Sequence, residues 1–383
     1  VAKHYGANEI DEARKNANQA FMLVLMVSFT LVFLTLLFGR QILMLLNAPE
    51  DVIAIGLGYF NIQMVTTSLI ALNSVFIGFE KAKGNTMFIL LLNIVAMIIK
   101  LILSMVFVFV MGGGTVSVAI ATLIAQSFIL FIAFFILTGK RNPFRLKITY
   151  MRFKSSYLMP IFLLALPVIT GKFLFSMGKV LVNSMAAFYG TAAVAAFGIA
   201  MKIGGAPGSM AIVFEEAEAS IVSQNLGNKN LKRAMKTYVV AHIYAFAIGL
   251  FGLLLVVRFF DDILPLFTQN EDPIFAQMIK DIYKWEKFSV LTSSSIAVIT
   301  GLFIGFRFTK IAFFLNIIRL FVFRLPVLWL LRALEVNYKA LGYTMFISNF
   351  LTLLVAIVIL IIFYKRIKDT GYQGMLLNDS IGE

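Results

Sequence analysis

The chain has 383 residues, 60% of them apolar and only 14% charged, with a mean hydropathy of +0.92. An ordinary soluble domain carries about a quarter of its residues as charges, so that class is excluded, and the absence of cysteine excludes disulfides and thiolate metal sites. A net charge of +14 in so apolar a chain reads as the positive-inside pattern of a membrane protein rather than as a nucleic-acid surface.

A spanning helix needs about 20 predominantly apolar residues. In chain order the sequence predicts ten: 16–38, 51–79, 85–111, 115–138, 157–184, 191–223, 233–257, 273–304, 309–332 and 340–364. Turn signals fall at Asn47-Ala48-Pro49, Gly112-Gly113-Gly114, Tyr189-Gly190 and Glu271-Asp272-Pro273. The predicted fold is an all-α polytopic membrane protein. It divides into a first lobe, 1–139, a basic cytoplasmic linker, 140–156, and a second lobe of six helices, 157–383.

The chain also matches itself. Val1 to Gly6 realigns with Val222 to Gly227 at an offset of 221, which also pairs Ala13 with Ala234 and Ile42-Leu43 with Ile263-Leu264. Further on, Phe76-Ile77-Gly78-Phe79 recurs as Phe303-Ile304-Gly305-Phe306, and Leu92-Asn93-Ile94 as Leu315-Asn316-Ile317. Two homologous halves in an apolar chain are the signature of a transporter built from repeats, with its substrate bound between them. The second copy carries about 65 mostly apolar residues ahead of its motif, whereas the first copy begins at the motif. Two N-terminal helices of an expected twelve are therefore read as missing, which fits the lack of a signal peptide after Val1.

Charge orients the bundle. Twenty Lys and Arg residues collect on one side, six of them in the run Lys140, Arg141, Arg145, Lys147, Arg152, Lys154, against seven on the other. This places both ends of the chain in the cytoplasm and the protein in the plasma (inner) membrane.

At this point the residues resemble the MATE (multidrug and toxic compound extrusion) transporters of the MOP flippase superfamily. The carrying segments are Val1 to Ala7 with Glu12-Ala13, the matching Ile221 to Gly227, and Gly78 with Gly84-Asn85-Thr86. To these add Val118 to Thr122 with Gln126, Leu166-Pro167, Ala193 to Lys202, and Arg319 with Pro326. The resemblance covers nearly the whole chain as the family's helices three to twelve. It implies a monomer in the bilayer that exports small amphipathic molecules in exchange for H+ or Na+, with rocking lobes and no cofactor. The sequence departs from the family where coupling acids stand in some members. Lys172 to Phe175, the position near Met97, and Thr292-Ser293-Ser294-Ser295 contain none.

An ionisable residue at bilayer depth costs a few kcal/mol on insertion scales and is a functional-site hypothesis by default. Glu215, Glu216 and Glu218 form the densest acidic cluster. Glu215 and Glu218 share a helix face, with Glu216 about 100° round from Glu215. Three such carboxylates cannot all stay ionised in a low-dielectric site, so they are the candidate cation-coupling group. The competing reading pairs them with Lys229 or Lys232 at the helix end. Lys100, Lys172, Lys179, Lys202, Arg319 and Arg324 lie inside helices. Lys172 and Lys179, seven apart on one face, suit a cavity lining or partners for the glutamates. Lys100, Lys172, Lys179, Asn183 and Gln126 are the candidate substrate-cavity residues. For Gln126, Asn73 and Asn183, hydrogen bonding between helices is the alternative role. Arg319 is read as structural, and Pro167 and Pro326 as hinges.

Other polar residues get plainer readings. Glu286 with Lys280, Asp281, Lys284 and Lys287 is expected to form an interfacial salt-bridge ladder, and Glu80 to end a helix in solvent. His242 is expected to be a packing residue, and Gly204 to Gly208 a weak point in a helix. With two histidines and no cysteine, no catalytic constellation or metal site is expected, and no phosphate loop is present. Two other functions stay open: a lipid-linked oligosaccharide flippase, which the basic helices favour, and a non-transporting membrane scaffold.

Overall fold

The computed structural model describes residues 1–45, 50–151, 155–268 and 273–380. Of the sequence expectations, Asn47-Ala48-Pro49, Glu271-Asp272, Arg152 and Lys154 lie outside the described residues. The chain folds as helices because, in lipid, backbone groups have no water to bond and must be satisfied within the segment. After a short helical turn, Ala2–Gly6, come α1 (Ile10–Leu45), α2 (Glu50–Lys83), α3 (Thr86–Met105) and α4 (Thr115–Thr138). The second series is α5 (Ser155–Ala186), α6 (Thr191–Gly227), α7 (Leu231–Arg258), α8 (Pro273–Glu286), α9 (Ser289–Gly305), α10 (Thr309–Ile317), α11 (Leu325–Ala333) and α12 (Ala340–Ser380). Among the described residues nine helical stretches are long and apolar enough to cross a membrane, or ten if the bent pair α8–α9 is one span. The protein is thus a multi-pass membrane protein.

Two predicted helices differ in detail. The single helix expected over 273–304 is broken, α8 and α9 meeting at a bend of 41°. The two pieces have different burial: α8 exposes Ile274 at 77%, whereas α9 hides Val298, Leu302 and Phe303 completely. Before α11 the chain runs as a π-helix over Ile318–Arg324. Pro326 follows in the first turn of α11. Proline lacks the N–H that a carbonyl four residues back needs, and a π-helical stretch absorbs the mismatch without breaking the span. Pro167 sits inside the continuous α5, and Gly204 to Gly208 inside the equally continuous α6.

The chain forms two compact units, Val1–Phe162 and Leu163–Glu383. In the first, α2 packs on α1 and α4, and α4 on α3. The stretch after α4 is strapped onto this unit. Phe144 is fully buried between the rings of Tyr5 and Phe79, at 5.4 and 5.6 Å. The buried Asn18 amide donates to the Arg145 carbonyl at 3.0 Å, and its Oδ1 accepts from the Lys147 N–H at 2.7 Å. Glu80, expected in solvent, is 1% exposed; Lys83 pairs with it and the Asn85 amide donates to it at 2.9 Å. That correction follows from the helix-ending turn, which folds Asn85 back over the carboxylate. In the second unit α6 is central, touching α7, α8 and α9, while α12 packs on α8, α9 and the π-helical stretch.

Each unit repeats the same turns. Left-handed residues follow the short helix Ala2–Gly6 and its repeat counterpart α6, at Asn8 (φ 62°) and Lys229 (φ 55°), 221 apart. Glu9 N–H donates to the His4 carbonyl at 2.9 Å, as Asn230 N–H does to Asn225 at 2.8 Å. A second pair, Gly84 (φ 80°) and Arg307 (φ 72°), lies 223 apart. These are helix C-terminal caps of the left-handed type. The offset of 223 makes Gly301, not Gly305, the counterpart of Gly78. The letter-for-letter match of Phe76–Phe79 with Phe303–Phe306 is therefore one helical turn out of register with the backbone. A four-residue slip keeps a side chain on nearly the same helix face, so Phe76 and Phe303 are both fully buried in their respective cores. Truncation of either to Ala should cost about 3–5 kcal/mol of apparent stability. Phe29→Ala, at a position 71% exposed, should leave the unfolding temperature in detergent nearly unchanged.

Candidate functional site

Small residues let the helices of the second unit meet closely. Gly301 and Gly305 stand four apart on α9, on the face against α6. A Cβ on Gly301 would sit 2.7 Å from the Glu215 carbonyl oxygen, and one on Gly305 2.7 Å from the Val222 side chain. This is the small-xxx-small packing of membrane helices. On α5, Gly171 approaches the Phe313 backbone, with 3.2 Å from a would-be Cβ, and Gly178 lies under Leu320. At these two positions α5 touches α10 and the π-helical stretch.

Within this unit lies a cavity of about 670 Å³, walled by α5, α6, α8, α9, α10, the π-helical stretch and α12. Its charged lining is Lys172, Lys179, Lys202, Arg319 and Arg324 against Glu215 and Glu286. Lys172 Nζ stands 3.5 Å from Glu215 Oε1. Arg319 donates to Asn316 Oδ1 at 2.9 Å, and its guanidinium lies 3.8 Å over the Phe175 ring. Arg324, 3% exposed, donates to Ser348 Oγ at 3.1 Å and Asn349 Oδ1 at 2.8 Å. Glu286, also 3% exposed, reaches into the space left by Gly204, and its Oε2 has no hydrogen-bond partner among the described residues.

One turn beyond Glu215, Glu218 is 1% exposed and neither carboxyl oxygen has a hydrogen-bond partner among the described residues. Its Oε2 would be 3.0 Å from a Cβ on Gly301, so it is wedged between α6 and α9. Glu216 is exposed, off this face. Of the other sequence candidates, Asn183 lines the cavity. Lys100 and Gln126 belong to the first unit. Lys100 is exposed there, and Gln126 accepts from the Asn73 amide at 2.9 Å through Oε1 and 3.0 Å through its carbonyl. His242 packs edge-on to Tyr238, ring centres 5.6 Å apart, with Ser295 Oγ 3.4 Å from Nε2.

The matching family model is MatE, over residues 1–106 and 167–330. The chain belongs to the MatE family. It is 21% identical over 282 residues to the probable multidrug resistance protein YoeA of Bacillus subtilis, a match over 72% of this chain and 61% of the relative's length. A multidrug resistance MATE family transporter of the MOP superfamily, in an outward-facing conformation, superposes with a TM-score of 0.87 at 18% identity, covering 97% of this chain and 82% of that one. A MOP superfamily transporter from Pyrococcus furiosus gives the same TM-score at 19% identity and the same coverage. At such identities the shared property is the fold.

Against the expected salt-bridge ladder, this MATE chain turns Glu286 inward. Its neighbours find other partners: Lys280 pairs with Asp261 at 2.6 Å, and Asp281 with Lys339 at 3.3 Å. The Tyr338 hydroxyl donates to Asp281 at 2.9 Å; partial burial and this carboxylate raise its pKa above the usual phenol value. A signal was present in the sequence: Ile279, Ile282, Tyr283 and Glu286 share one helix face, and all four are buried. Gly301→Ala should push α6 off α9 and cost about 1–3 kcal/mol. Gly205→Ala, where nothing lies within 4 Å, should gain up to about 1 kcal/mol of helix stability; thermal unfolding in detergent measures both.

Proposed function

We propose that this MATE chain exports amphipathic drugs or metabolites by H+ or Na+ antiport, its units acting as lobes that alternate access across the plasma membrane. Family membership and the name of the Bacillus subtilis relative support the efflux reading. The positive-inside bias supports cytoplasmic chain ends. Pro167 and Pro326 are the proposed flexing points, and the protein acts as a monomer.

The observation that carries the coupling reading is Glu218 buried without a partner among the described residues, one helical turn from an ion-paired Glu215 on the cavity wall. A buried carboxylate with no partner is costly by several kcal/mol. A bound coupling cation supplies the missing partner. Glu215 offers the second station, because Lys172 at 3.5 Å is half exposed and free to exchange the carboxylate for another anion. Loading Glu218 changes the charge at the close α6–α9 crossing, so occupancy biases its packing. Substrate entering the cavity competes for Lys172 and so communicates with Glu215.

A second reading, movement of a lipid-linked anion, is favoured by the cationic excess of the cavity lining. For the Pyrococcus furiosus relative, reverse polarity of the binding pocket suggests a different function.

The test is gradient-driven flux in proteoliposomes. Glu218→Gln should lower H+- or Na+-driven dye flux at least tenfold while the protein still inserts and binds dye. Glu216→Gln should change it less than twofold. Full antiport by a Glu215→Gln, Glu218→Gln double variant would sink the coupling assignment. A wild-type protein without flux under any gradient would favour the scaffold.

A further inference from the structure

We infer that the cavity of the second unit binds an amphipathic anion, its carboxylate, sulfonate or phosphate group held between Lys179 and Lys202. This rests on the reading of that cavity as the transport site, and it adds the charge of the substrate.

The two lysines face the same space from successive antiparallel helices. Lys179 lies ten residues before Tyr189 on α5, and Lys202 eleven residues after Thr191 on α6. At 1.5 Å per residue they stand at about the same height above the connection at Gly190. Both line the cavity. The other lining charges are engaged or enclosed. Lys172 faces Glu215, Arg324 is bonded to Ser348 and Asn349, and Arg319 is bonded to Asn316. Lys202 has no ion pair or hydrogen bond among the described residues, and Lys179 has only the Phe175 ring, 5.5 Å away.

That ring carries three cations, Lys179, Arg319 and Arg324, at 5.5, 3.8 and 5.5 Å. An aromatic face is a weak substitute for an anion, and three like charges on one ring repel each other. Arg319 borders the cavity, and its buried Nε has no acceptor among the described residues. Five cationic groups against two carboxylates in a low-dielectric pocket focus an electropositive field on any entering group. Asn183, one turn past Lys179, adds amide donors. Phe197, Met201, Ile296 and Met345 offer an adaptable apolar wall for the body of the ligand.

Lysines near a membrane also snorkel toward phosphate headgroups. The shared chemistry is an anionic oxygen group on an apolar body, from a lipid or from a soluble molecule.

The experiment uses the full chain in nanodiscs and two probes of matched skeleton, naphthalene-2-sulfonate and 2-(trimethylammonio)naphthalene, titrated calorimetrically. The sulfonate should bind at least tenfold tighter than the ammonium. Lys179→Met with Lys202→Met should weaken the sulfonate at least tenfold, and Lys179→Arg with Lys202→Arg should restore it, which separates lost charge from lost folding. Preference for the ammonium, or sulfonate binding unchanged in the Met pair, overturns the inference. Saturable competition by phosphatidylglycerol, absent with phosphatidylcholine, assigns the site to a lipid headgroup; indifference to both assigns it to a soluble anion. Sulfonate binding unchanged in the Met pair, with gradient-driven flux of the ammonium probe intact, would remove the anion site and leave export standing. Lysine-dependent sulfonate binding with no driven flux of either probe would do the reverse.

Discussion

The crossing of α6 on α9 is the contact on which the second unit depends. Two glycines four residues apart remove the side chains that would hold the backbones apart, and Glu215 and Glu218 are carried on the helix pressed into that gap. Between helices in lipid there is no hydrophobic drive, because the tails are as apolar as leucine; close van der Waals packing takes its place. A helix held this tightly cannot turn its acidic face elsewhere. One carboxyl is left on the cavity wall and the other between two backbones.

The rest of the cavity follows from where its charges find partners. Arginines settle on the π-helical stretch, where an extra residue per turn aims Arg319 and Arg324 toward Phe175 and the polar face of α12. Glu286 arrives from the bend between α8 and α9 and fits because Gly204 has no side chain to oppose it. Acid and base come from different helices, so no short segment contains a complete pair. Those pairs belong to the packed unit. They also explain why the two lysines left over are chemically distinct from those that found a carboxylate or an amide.

The duplicated architecture was legible in the chain. The paired turns at Asn8 and Lys229, and at Gly84 and Arg307, lie where the repeat offset places them, because ending a helix with a left-handed residue is a local event. The repeat's register across the second turn was not legible. Phenylalanines one turn apart occupy nearly the same face, so matching letters favoured an alignment that the backbone does not follow. Burial misled in a similar way. Glu286 and Glu80 are surrounded in sequence by lysines and look solvated, yet each faces inward. For Glu286 the apolar periodicity of Ile279, Ile282 and Tyr283 already pointed to the buried face. For Glu80 nothing local did, because the covering Asn85 lies beyond the turn.

By itself the sequence determined the membrane class, the helical fold, the positions of most spans and the identity of the charged residues within them. Each of these depends on composition or on spacing along one helix, and hydrogen bonds inside a segment obey the same rule in any protein. Tertiary structure alone decided which polar groups meet: Lys172 with Glu215, Arg324 with Ser348 and Asn349, Glu218 with no partner among the described residues, and Asn73 with Gln126 inside the first unit. Contact between residues tens of positions apart depends on how closely two helices approach and at what angle. Single missing side chains at Gly171, Gly178, Gly204 and Gly301 set that approach, and their effect is invisible until the neighbouring helix is in place.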